Sequence, residues 1–148
     1  DDFSTREWLA GAVRDPRSKD YFGGTKGHED MEAYAVSEVS DEQLAQVVEY
    51  LMSLRGDGVE VDAAKAKAGQ ALWEDELDCN GCHEVDAGVD GAGAPVFGGR
   101  GTKAWVARVI RDSSEKDLYG ENASMPKFEA KLSDEDIEML ASLIVAAE

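Results

Sequence analysis

The chain has 148 residues, 43% of them hydrophobic, which is enough apolar material for a compact core in one domain or a domain and a part. Its 32 acidic and 15 basic residues give a formal charge of −17, which argues against nucleic acid or an anionic lipid surface as partner and favours one of basic or mixed charge. No stretch approaches the roughly 20 apolar residues of a membrane helix, and Asp1 to Thr5 lack a basic segment followed by an apolar run, so the expectation is a soluble chain with no membrane insertion, either a processed product or a segment of something longer.

Four helical stretches are readable, and no segment requires a strand. The first follows Ser40, where Ser40 and Gln43 make a capping box and Leu44, Val47, Val48 and Leu51 form an apolar stripe. The second runs from Val61 to about Glu76, with Val61, Ala64, Ala68 and Leu72 at helical spacing. It leads directly into Cys79-Asn80-Gly81-Cys82-His83, the place of the only two cysteines.

Cys-x-x-Cys-His reads as covalent attachment of one c-type haem: two thiols three positions apart add to the two vinyl groups on one edge of the porphyrin, and the adjacent imidazole reaches the iron. The alternatives are a thioredoxin-like redox pair, which would want a βαβ context, and half a zinc site, which would want two further ligands when His28 is the only other histidine.

Ala87 to Gly101 is a loop by composition. The third helix spans roughly Thr102 to Asp112, around Trp105, Val106, Val109 and Ile110. Next comes Ser124-Met125-Pro126-Lys127-Phe128, which has no helical periodicity, and the proline biases Met125 away from helical backbone. Met125 lies 42 residues after His83 and is the expected sixth iron ligand, a thioether, in preference to a methionine that fills a core gap. Met52 and Met139 lie within helical patterns and Met31 in a different segment. The fourth helix begins after Ser133, which with Asp136 resembles a capping box, and runs through Ile137, Leu140 and Ile144 to the end.

Residues 57–148 resemble a complete class I cytochrome c domain: a helix before Cys-x-x-Cys-His, a middle helix, a methionine-proline loop and a closing C-terminal helix. The resemblance implies an all-α cytochrome c fold around one covalently bound haem, with His83 and Met125 as axial ligands. It implies that Gly69 and Trp73 mark where the terminal helices cross, the small Gly69 admitting the helix of Leu140 and Leu143. It also implies that the carbonyl of Pro95 accepts a hydrogen bond from the His83 imidazole.

Residues 1–56 resemble the back half of the same domain, an additional N-terminal helical half-domain. Trp8, Arg14, Asp15, Phe22 and Gly23 match Trp105, Arg111, Asp112, Tyr119 and Gly120 at an offset of 97, and Ser40-Asp41-Glu42 matches Ser133-Asp134-Glu135 at 93, with Met31 falling near Met125. An internal duplication follows as the reading, its first copy lacking a haem motif within this chain. The expected division is therefore a half-domain at 1–56 and a monohaem domain at 57–148. The stripe of Leu44, Val48 and Leu51 should be buried against the haem domain or a second copy, making a homodimer through residues 1–56 one expectation. The first copy also resembles cytochrome c segments fused to cytochrome b or other quinol-oxidising complexes, so tethering in a larger respiratory protein is a second.

The function these features imply is single-electron transfer rather than catalysis, by a carrier or a domain of a respiratory membrane complex, with redox proteins as partners. A six-coordinate iron leaves no position for oxygen or peroxide. A haem peroxidase or a gas-sensing module is the competing reading, to be preferred if Met125 does not ligate. Covalent haem attachment resembles systems outside the bacterial cytoplasm, which places the chain in the periplasm or on the outer face of the cytoplasmic membrane.

Overall fold

In the computed structural model, residues 3–23, 31, 38–86, 89 and 94–145 are described. Among them every regular element is helical, in agreement with the all-α expectation. They form two compact packing units, residues 3–53 with 59–81, and residues 54–58 with 82–145, which cut across the expected sequence domains because the helix before the haem motif joins the first unit.

The first unit holds α1 (Arg6–Arg14), α2 (Asp41–Ser53) and α3 (Ala63–Ala71). Thr5 starts α1 by accepting a hydrogen bond from Trp8 N at 3.1 Å. Trp8 stands edge-on to Phe3, Tyr21 and Phe22, which builds an aromatic cluster beside the helix. No apolar periodicity had marked α1; only its match with the Trp105 segment pointed to it. At α2 the capping box is reciprocal, Gln43 N donating to Ser40 Oγ at 3.2 Å and Ser40 N to Gln43 Oε1 at 3.0 Å. The stripe of α2 is buried as expected, together with Tyr50 and Met52. Glu49 links all three helices, pairing with Arg6 Nε at 2.6 Å and accepting from Asp62 N, at the cap of α3, at 2.9 Å.

The buried face of α3 differs from the expected one. Ala66 and Gly69 are buried while Ala64 is exposed and Ala68 half-buried. Alanine tolerates either environment, so its spacing is a weak guide, and backbone approach decides instead: a Cβ on Gly69 would lie 1.9 Å from the carbonyl oxygen of Gln46. Gly69 thus meets α2. Trp73 packs edge-on to Tyr50 at 6.0 Å, on that same α2. The stripe of α2, expected to be buried against the haem domain or a second copy, packs against α3, which belongs to residues 57–148.

The second unit is built on α4 (Lys103–Asp112) and α5 (Asp134–Val145). Thr102 caps α4 as Thr5 caps α1, accepting from Trp105 N at 3.1 Å. The box at α5 is present, Asp136 N donating to Ser133 Oγ at 3.2 Å and Ser133 N to Asp136 Oδ2 at 3.3 Å. Arg111 pairs with Asp134 and Glu138, and Lys103 with Glu138, tying α4 to α5. Ile137 and Ala141 are buried, but Met139, Leu140, Leu143 and Ile144 are exposed.

Candidate haem-binding site

α3 does not end in an ordinary cap. It passes into a π-helical turn, Leu72–Glu76, closed by Leu77 N donating to Leu72 O at 2.8 Å. Asp78 then adopts φ 51°, a left-handed conformation that aspartate tolerates better than most residues, and Cys79–Gly81 form a single 3₁₀ turn. Cys79 is half-buried, and desolvation foremost pushes its thiol up to about 11, with the neighbouring Asp78 adding to the shift. Cys82 is exposed, and neither cysteine is in a disulfide.

His83 is 9% exposed, and its Nδ1 lies 2.9 Å from the carbonyl of Pro95, the contact that the resemblance implies. A carbonyl can only accept, so Nδ1 carries the proton and Nε2 keeps its lone pair for a metal. Burial pushes the imidazole pKa down, against the hydrogen bond it donates to Pro95, and favours the neutral ring that can ligate. The loop is held in place by Phe97, whose N–H donates to Glu84 O at 2.9 Å and whose ring lies 5.0 Å from that of His83. Part of the expected glycine-rich loop, residues 87–88 and 90–93, lies outside the described residues, as does His28. No group of three or more His, Cys, Asp or Glu that could hold a metal occurs among the described residues.

Met125 lies in non-helical chain, as expected, and is 37% exposed. Its carbonyl accepts from Ser113 Oγ at 3.3 Å. Met52 is core and Met139 exposed on α5, while Met31 is a half-buried helical residue of the first unit.

Arg100 was not anticipated. It is 7% exposed, its guanidinium lies 4.8 Å from the Trp105 ring and 5.8 Å from that of Tyr119, and among the described residues its Nη1 has no hydrogen-bond partner. A buried cation with a spare N–H is costly unless an anion meets it. A haem carries two propionates, so the donor set fits the group: two free thiols, one imidazole with an available Nε2, and a buried guanidinium with one unpaired nitrogen among the described residues. The only sequence signal for Arg100 is a basic residue between Gly99 and Gly101, which reads equally well as solvent-facing loop.

The profile of the family described as cytochrome c oxidase, cbb3-type, subunit III matches residues 64–144. Cytochrome c4 of Stutzerimonas stutzeri is 36% identical over 115 residues, covering 72% of this chain and 54% of that protein. The cbb3-type cytochrome c oxidase subunit CcoP of Azospirillum sp. (strain B510) is 30% identical over 113 residues, covering 68% of this chain and 34% of that one. The chain thus spans about half the length of the first relative and a third of the second. No solved structure gives a significant match. The chain belongs to the class I c-type cytochromes, proteins that hold haem covalently and transfer electrons through it.

Proposed function

We propose that this chain passes single electrons through one haem held by Cys79 and Cys82, with His83 and Met125 as the axial pair and Arg100 receiving a propionate. The observation that carries the reading is the His83–Pro95 hydrogen bond, which leaves Nε2 as the available donor on a buried, neutral ring. When bound, the haem supplies an iron that cycles between ferrous and ferric states, and a thioether ligand favours the ferrous form. Pro95 orients the imidazole, the two thiols anchor the porphyrin, and Met125 completes the coordination.

The chain acts as a carrier or as part of a respiratory membrane complex, in the periplasm or on the outer face of the membrane, with redox partners of basic or mixed charge. Two sequence relatives, one an oxidase subunit by name, support that setting. Residues 1–56 are a degenerate or truncated copy of the back half of the haem domain, a reading supported by Thr5 and Thr102, which cap alike, and by Arg14, which pairs with Asp41 as Arg111 does with Asp134.

The optical spectrum of the ferric protein tests the ligand pair. A weak far-red band from the methionine–iron bond is expected, and it vanishes in Met125→Ala. Its absence from the parent would bring forward the peroxidase and gas-sensor readings, which rapid carbon monoxide binding would then support.

A further inference from the structure

The last two residues of α4 and the residue after it each bind the segment that carries Met125. The carbonyl of Arg111 accepts from Phe128 N at 3.1 Å and from Glu129 N at 3.3 Å. Asp112 Oδ2 accepts from Lys127 Nζ, while its Oδ1 is held by Ser114 N and Oγ. Ser113, only 2% exposed, donates its hydroxyl to the carbonyl of Met125. Four residues of one short segment are therefore tied to three consecutive residues, and Pro126, the one between them without an N–H, limits the remaining backbone freedom. The tethers use main chain and the lysine, so they leave the Met125 side chain itself unbonded. The Lys127 ammonium, helped by Ser114, holds the Asp112 carboxyl down at about 2, so this pair stays ionised at neutral pH.

We infer that Arg111, Asp112 and Ser113 form a clasp at the end of α4 that fixes the main chain of Met125 for ligation, with Ser113 and Lys127 as positioning residues. The inference rests on the ligand assignment proposed above. A loop already held in its bound conformation forms the thioether–iron bond without a further ordering cost, and so resists a competing ligand.

Imidazole, titrated into the haem-loaded ferric full chain while the far-red band is followed, tests the clasp. Ser113→Ala and Lys127→Gln are each expected to keep the band without imidazole and to lose it at about tenfold lower imidazole concentration, a change of about 1.4 kcal/mol in the competition. Lys127 is a surface residue, so its substitution keeps the reading independent of any folding loss at buried Ser113. Both variants matching the parent, while Met125→Ala removes the band, overturns the clasp and leaves the ligand assignment standing. A parent with no far-red band overturns the assignment and the clasp with it.

Discussion

At the scale of single residues, the site depends on two buried polar side chains with opposite needs. His83 has its Nδ1 proton satisfied by Pro95, so only the metal-facing nitrogen is left over. Arg100 keeps an N–H without a protein partner in a place where an unpaired charge is expensive. If a propionate meets it, Arg100→Met strands that anion, and the haem-loaded protein should lose about 3 kcal/mol of stability in chemical denaturation. An unchanged or raised stability would mean that no anion pairs there, because exchanging an uncompensated buried charge for an apolar side chain is neutral or stabilising.

At the scale of elements, α2 and α5 make an informative pair, since Ser40-Asp41-Glu42 and Ser133-Asp134-Glu135 set one register on both. Leu44 and Val48 are buried, and so are their counterparts Ile137 and Ala141. Val47, Tyr50 and Leu51 are buried too, yet Leu140, Leu143 and Ile144 at the same positions are 40%, 64% and 49% exposed. What covers the extra positions on α2 is the α3 crossing at Gly69. Gly69→Ala would drive a methyl group into the Gln46 carbonyl, and a loss of about 3 kcal/mol is expected from the shift of two packed backbones. An unmoved denaturation midpoint would show that the helices do not cross there.

The same elements show how far the sequence could be read. Caps at Ser40 and Ser133, the stripe of α2 and the haem motif were legible because each is a local pattern with a local cause. The role of Gly69 as a close-approach residue was legible as well; its contact with α2 was not, because alanine-rich spacing does not show which helix approaches. Arg100 escaped notice because burial of a loop cation leaves no periodic trace. The ties from α4 to the Met125 segment escaped notice for another reason: most of them run through main-chain atoms, which every residue type carries.

At the scale of the whole molecule, charge is the property most open to test. With −17 on 148 residues, encounter with other redox species is governed by a field of one sign, screened over about 8 Å at physiological ionic strength. Electron exchange with a small cationic redox reagent should slow as salt is raised, and exchange with an anionic one should quicken. Stopped-flow rates across a salt series that are flat for both reagents would mean that the field at the site of exchange is neutral despite the total.

The π-helical turn at Leu72–Glu76 acts as a phase shifter. It holds about one residue more per turn than the helix it continues, so the chain reaches Cys79 about 100° less far round than an unbroken α3 would deliver it. A single residue removed from the exposed Glu74-Asp75 stretch would let the turn relax to α-helix with every hydrogen bond replaced and no side chain lost from the core, and yet the haem motif would leave the helix facing another way. The orientation of the motif is therefore written in a length, one residue of insertion, rather than in the identity of any side chain.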